Sequence, residues 1–245
     1  MADEIKVGLA DMHNHILFGV DDGAKKIEDS MRMLDIAHKD GIRTVIFTPH
    51  FHPKRGMAEY DKILAHFEVL KKAVRQKFPE MNLYLGREVY YRSDITDVEE
   101  IAEELRMCQT GNILVEFSTT VEASYIKAAV SNLLMNGYQP IVAHVERYAC
   151  SIKNKNLVAD LKDMGAYIQL NADSIVGDSG FAIKMAVKRF LKQGLVDFIA
   201  SDAHDDLSRR PVLSHCYRFI AKKYGEDYAE EIMCVNPLRI INDEL

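Results

Sequence analysis

The chain has 245 residues, of which 48% are hydrophobic and 28% charged, with a formal net charge of −6; that balance suits a large apolar core beneath a polar surface. The acidity offers no general attraction for nucleic acid, and no apolar run approaches the roughly 20 residues of a membrane span. The opening MADEIKVGLA lacks the basic start and apolar stretch of a secretory leader, so a cytoplasmic protein without direct membrane insertion is expected.

Taken in order, strand-like runs fall near Val7–His13, Arg43–Thr48, Asn82–Val89, Ile113–Phe117, Pro140–His144, Ala166–Asn171 and Asp197–Ser201. Helical stretches separate them. In IEDSMRMLDIAHKDG, residues Ile27, Met31, Leu34 and Ala37 repeat at helical spacing, and Gly41 suits a C-terminal cap. The same junction of helix, glycine and strand recurs in LLMNGYQPIVAH, LKDMGAYIQL and LKQGLVDFIA. The tail NPLRIINDEL reads as a last short helix, with Asn236 as N-cap before Pro237. Repeated βα units of this kind predict a single α/β domain over residues 1–245, closed as a TIM-like barrel. Neither GxGxxG nor GxxxxGKS/T is present, which argues against dinucleotide and P-loop nucleotide binding.

In a parallel barrel the working groups sit at the C-terminal ends of the strands. Here those ends read LADMHNH with His13 and His15, IFTPHFH with His50, YLGREVY with Glu88, ILVEFS with Glu116, PIVAHVERY with His144, and FIASDAH with Asp202 and His204. The sixth strand, YIQLNAD, offers only Gln169, Asn171 and Asp173. A lone strand-end histidine is usually a hydrogen-bonded structural residue. Glu88 and Glu116 lie among apolar neighbours, however, and a buried carboxylate is costly unless paired or metal-bound. Convergence of all these groups on one rim points to a metal centre. Residues at i and i+2 share a strand face, so His13 and His15 can reach one ion, as could Asp11, and Asp202 with His204 repeats the device.

Imidazole and carboxylate without thiolate suit Mn, Fe, Zn, Mg or Co. These are more groups than one ion accepts, so two or three ions are expected, with Glu88 as a bridge. Ions about 3.5–4 Å apart can activate a shared water and clamp the oxygens of a phosphoester. Cys108, Cys150, Cys216 and Cys234 are scattered without CxxC spacing, and none has an arginine six residues on, so reduced thiols and no thiol-phosphatase loop are expected.

The motifs DMHNH, HILFGVDDGA, GIRTVIFTPH, GREVYY, ILVEFS, IVAHVERY, IASDAH and the NPLRII tail run through nearly the whole chain in order. In them the sequence resembles the PHP (polymerase and histidinol phosphatase) superfamily, and more closely the bacterial manganese-dependent protein-tyrosine phosphatases of the CpsB/YwqE type, which oppose the tyrosine autokinases of capsule and exopolysaccharide synthesis. The resemblance implies a distorted (β/α)7 barrel with a trinuclear Mn²⁺ centre. One ion would take His13, His15, Glu88 and Asp202, a second Glu88, Glu116 and His144, and a third Asp22, His50 and His204, with Asp22 preferred to Asp21. Phosphate would be held by Arg147 and by Arg210, which directly precedes Pro211; Arg209 is the neighbouring alternative. The implied reaction is direct hydrolysis of phosphotyrosine by metal-bound hydroxide, without a phosphoenzyme, on a protein such as the C-terminal tail of a bacterial tyrosine kinase.

Other readings are a small-molecule phosphatase of the histidinol-phosphate type, a nuclease or proofreading relative, which the acidic charge disfavours, and a non-catalytic metal-binding regulatory barrel. The loop FHPKRGMAEY after His50 offers His52, Lys54 and Arg55 to phosphate or acidic flanks, or simply to solvent. His38, His66 and His215 fall within helical patterns and receive no role.

Overall fold

The computed structural model describes residues 8–52, 58–95, 103–177 and 179–245. Every predicted run coincides with at least one parallel strand, and one strand, β3, lies outside them: β1 (Leu9–Asp11), β2 (Ile42–Phe47), β3 (His50–Phe51), β4 (Asn82–Leu85), β5 (Glu88–Tyr90), β6 (Asn112–Glu116), β7 (Gln139–Val142), β8 (Tyr167–Asn171) and β9 (Phe198–Ala200). Hydrogen bonding links β1-β2-β4 in one sheet and β3-β5-β6-β7-β8-β9 in another. The two sheets are one barrel wall interrupted by a step. β2 pairs with β4 as far as Phe47 against Leu85, and the same two chains resume as β3 and β5 with His50 against Glu88.

Local chemistry explains the step. Pro49 has no N–H for the ladder, and at Gly86 a Cβ would lie 2.5 Å from the Met107 sulfur. The predicted strand Asn82–Val89 is therefore two strands, and the step sets His50 and Glu88 side by side.

The first and last strands meet beyond their formal ends. Asp202 N–H donates to the His13 carbonyl (2.8 Å) and His15 N–H to the Ala203 carbonyl (2.8 Å). The Asp11 carboxylate accepts from Ser201 N–H (2.9 Å) and Ser201 Oγ–H (2.6 Å) across the same seam. A distorted parallel β/α barrel results.

Helices cover the outside. α1 (Ile27–Lys39) buries Met33, Leu34 and Ala37, with Ile27 and Met31 packed at the margin of that stripe. Gly41, Gly137, Gly165 and Gly194, at the four predicted helix-to-strand junctions, all have positive φ, the conformation that ends a helix at little cost only for glycine. Among the described residues no helix is long and apolar enough to cross a membrane.

The tail is helical, but Asn236 is not its N-cap. Val235 already has helical φ and ψ of −72° and −52°, because a wide turn over Glu231–Val235 leads straight into the last helix, Asn236–Asn242. The Asn236 amide instead donates to the Asp197 carbonyl (3.0 Å), at the entry to β9. Ile240 then seals the barrel interior against Met12, Ile46, Leu114, Ile141 and Phe198. Asp243 accepts a hydrogen bond from Gly111 N–H, just before β6 (3.3 Å), which puts this helix at the end of the barrel opposite the strand C-termini.

Ile240→Ala is expected to lower stability by about 2–5 kcal/mol, the usual loss for a large-to-small core change, while metal content stays at the wild-type level. Urea unfolding and elemental analysis check this; a parallel loss of metal would show that floor and rim are not separate.

Candidate metal centre

The chain leaving β1 is pinned by Asn14, whose amide donates to the Ile46 carbonyl (3.1 Å) and whose N–H donates to Thr48 Oγ (3.0 Å). On either side of it, His13 and His15 turn into the barrel mouth. Their Nε2 atoms lie 3.2 Å from Glu88 Oε1 and 3.3 Å from Glu88 Oε2, with Asp202 Oδ1 at 3.8 and 3.5 Å. From the stepped strand β3, His50 brings Nδ1 within 2.9 Å of Glu88 and 3.4 Å of Glu116. Its Nε2 and that of His204 both face Asp22, at 3.3 and 3.4 Å. His144 sets Nε2 2.8 Å from Glu88 and 3.9 Å from Glu116.

The nine expected ligands thus form one connected cluster, with His13, His15, His50 and His144 directly around the buried Glu88 and Asp22 and His204 joined through His50. Three groupings have ligand atoms within 4.8 Å of one another among the described residues: His13, His15 and Glu88; His50, Glu88 and Glu116; and His15, Asp22, His50 and His204. The grouping differs in detail from the resemblance, because His50 stands between Glu116 and Asp22 and His15 joins the Asp22 set.

These residues fit divalent ions. The buried His13 Nε2, His15 Nε2, Glu88 Oε2 and Glu116 Oε1 have no hydrogen-bond partner among the described residues, yet His15 Nε2 faces Glu88 Oε2 at 3.3 Å, His13 Nε2 faces Glu88 Oε1 at 3.2 Å and Glu116 Oε1 faces His50 Nδ1 at 3.4 Å. Donors and acceptors left facing each other in this way suit a cation between them. Burial pulls the His50 imidazole down, but hydrogen bonds to Asp22, Glu116 and Glu88 lift it to about 11. Burial likewise opposes charge on Glu88, and the His13, His144 and His15 rings hold it well below the ordinary carboxylate range.

Asp21, the acid not preferred as a ligand, stands behind the centre. Its Oδ2 meets His15 Nδ1 at 2.7 Å and accepts from His50 N–H at 3.2 Å, while Oδ1 accepts from Gly23 N–H at 2.9 Å. A carboxylate on the far nitrogen of a ligating histidine fixes its tautomer and orientation. Arg87 was not anticipated at all. It is 1% exposed, and its guanidinium donates to the Pro49 and His50 carbonyls (3.2 and 3.0 Å), clamping the step that carries His50.

A hollow of about 370 Å³ opens over the centre. Tyr90, Phe117 and His52 line it on one part, Arg147 and Arg209 on another. Both guanidiniums converge on the outer oxygen of Asp202, at 3.0 Å from Arg147 and 2.8 Å from Arg209. Arg210 does not reach this place. It is exposed and borders a separate depression with Ala172, Asp173 and His215. The loop folds back on itself, since His204 N–H donates to the Arg209 carbonyl (2.9 Å) and Asp205 Oδ1 accepts from the N–H groups of Leu207, Ser208 and Arg209. That turn aims residue 209 inward and its neighbour out. His52 lies buried with its ring 4.3 Å from Tyr90; Lys54 and Arg55 lie outside the described residues.

Comparison with known proteins agrees with this arrangement. The profile of the family described as "Capsular polysaccharide synthesis, CpsB/CapC" matches residues 9–242. The chain is 34% identical to the tyrosine-protein phosphatase CpsB of Streptococcus pneumoniae, over 97% of this chain and 100% of that protein. It superposes with a TM-score of 0.88, at 27% identity and covering 96% and 95% of the two chains, on a structure from work on YwqE of Bacillus subtilis and CpsB of Streptococcus pneumoniae, described as metal-dependent tyrosine phosphatases. A phosphotriesterase homology protein from Escherichia coli, at 14% identity and a TM-score of 0.60 over 94% of this chain and 97% of that one, shares the barrel fold. The chain belongs to the CpsB/CapC family.

Proposed function

We propose that this chain removes phosphate from phosphotyrosine on a partner protein by direct, metal-dependent hydrolysis. It is a tyrosine-protein phosphatase of the CpsB/YwqE type. The observation that carries this reading is Asp202: its inner oxygen faces the histidines while its outer oxygen collects two arginines, so a cation site and an anion site share one wall. Bound divalent ions, with manganese the expected metal and three the expected number, supply activation of water and neutralisation of phosphoryl charge.

The protein's own groups supply the rest. His13, His15, Asp22, His50, Glu88, Glu116, His144, Asp202 and His204 hold the ions. A contact to Asp202 uses one of the five donors on each guanidinium, leaving Arg147 and Arg209 able to take phosphoryl oxygens in forked pairs. Tyr90, Phe117 and His52 face the phenyl ring. Phenolate is a far better leaving group than an alkoxide, so the reaction makes small demands on a general acid. Burial pushes the Cys108 and Cys234 thiols up to about 12 and raises Cys150 and Cys216, which withholds the thiolate a cysteine mechanism needs. The substrate we favour is the C-terminal tail of a bacterial tyrosine kinase that governs capsule or exopolysaccharide synthesis.

Chelation is expected to abolish turnover of a phosphotyrosine peptide, Mn²⁺ to restore it, and Cys150→Ser to leave it unchanged. A higher kcat/KM on histidinol phosphate than on the peptide would replace the proposed substrate with a small molecule. Arg209→Ala is expected to lower kcat/KM about 10- to 100-fold, the loss of hydrogen bonds to a charged group, whereas Arg210→Ala stays within about threefold; the reverse order would return phosphate binding to Arg210. Because the free His50 imidazole is protonated at neutral pH and a ligand must be deprotonated, metal loading releases protons and its apparent affinity rises with pH. Calorimetric titration in buffers of different ionisation enthalpy measures this, and loading without proton release would contradict it.

A further inference from the structure

β8 brings no imidazole or carboxylate to the rim, yet the two inward residues nearest its C-terminal end are buried amides, Gln169 and Asn171, at 0% and 1% exposure. Residues two apart share one strand face, and here that face looks into the metal centre. Gln169 Oε1 lies 2.8 Å from the backbone nitrogen of His144. A backbone N–H only donates, so the atom opposite it is the amide oxygen and the Gln169 orientation is fixed by chemistry. The same oxygen lies 3.1 Å from His13 Nδ1, and an amide oxygen only accepts, so Nδ1 carries a proton and Nε2 is the ring nitrogen left to face Glu88 and Asp202. Gln169 Nε2 donates onward to Asn171 Oδ1 (2.9 Å), which leaves Asn171 Nδ2 to donate to Asp202 Oδ2 (2.7 Å). The chain of bonds runs one way, with no alternative assignment.

A second observation concerns the backbone. His144 and Asp202 have φ of 32° and 51°, a region that non-glycine residues occupy only where the surroundings hold them. Both are residues to which this chain of amides is bonded, Gln169 to His144 and Asn171 to Asp202.

We infer that Gln169 and Asn171 are positioning residues for the metal centre: Gln169 selects the His13 tautomer that exposes Nε2 and anchors His144, and Asn171 orients Asp202. This rests on the reading of the rim as a metal site. Buried amides can also serve only to satisfy one another, and that ordinary role would change stability without changing the tautomer or the affinity for metal.

The test measures Mn²⁺ affinity by equilibrium dialysis and elemental analysis, together with ¹⁵N NMR of the imidazoles in metal-free protein at alkaline pH. Gln169→Leu is expected to weaken Mn²⁺ binding about 10- to 100-fold, the usual loss when an outer partner of a ligand is removed, and to erase the Nδ1-protonated signature of His13. Gln169→Glu keeps an acceptor for both His13 and His144, so it is expected to retain the tautomer, and it carries that part of the test should the leucine variant not fold. Asn171→Leu is expected to weaken metal binding with the His13 tautomer intact. Wild-type affinity in Gln169→Leu and Asn171→Leu, or an unchanged His13 tautomer in Gln169→Leu, overturns the inference. Glu88→Gln is measured beside them: if it binds Mn²⁺ as wild type does, the metal-centre reading itself fails; if it loses metal while the β8 variants do not, only the positioning role fails.

Discussion

One buried carboxylate governs the architecture. Glu88 is 1% exposed, and its two oxygens face the rings of His13, His15, His50 and His144 at 2.8–3.3 Å. An ionised group taken so far from water is tolerated only when opposite charge surrounds it on every side. The fold answers that demand with parts from widely separated elements. The step at Pro49 and Gly86 places His50 beside Glu88, the seam swings His13 and His15 across the mouth, and the turn after β7 forces His144 into a left-handed conformation so that its ring points back. Divalent cations bound as proposed would complete the neutralisation that the surrounding imidazoles begin.

Asp202 performs a comparable service on the substrate side. One oxygen belongs to the histidine cluster and the other to Arg147, Arg209 and Asn171. In the proposed reaction its position sets the distance between the ions and a phosphate held by the arginines. On that proposal a phosphoryl group entering the hollow would meet donors already ordered by a carboxylate, so little reorganisation would be required as charge develops on its oxygens.

Much of this was legible in the sequence, and the omissions have physical causes. Strand ends announce themselves because apolar runs terminate in His, Glu or Asp, and barrel geometry then gathers them without any further information. Glycine after a helix marks a backbone need that its lack of Cβ alone satisfies. The break in Asn82–Val89 was not visible because it depends on how closely Met107 packs on Gly86, a contact between distant segments. Arg209 and Arg210 are adjacent, and the choice between them lies in the turn capped by Asp205, where one residue of register reverses inside and outside. Asn236 looked like a cap only because sequence does not reveal that the preceding residues are already helical. Gln169 and Asn171 carry no charge and so entered only as the residues the sixth strand offers in place of a ligand, although neutral amides are the groups that can both accept from one ligand and donate to another.

The seam has a consequence for the order in which the molecule is made. Asp11 and Ser201 are 190 residues apart in sequence, and the bonds beside them tie His13 to Asp202 and His15 to Ala203. A nascent chain emerging from the ribosome thus exposes its first two histidines long before the strand that completes their pocket has been translated. Synthesis must therefore pass β9 before the cluster can close, and in the proposed metal site a complete ligand set exists only once β9 docks against β1.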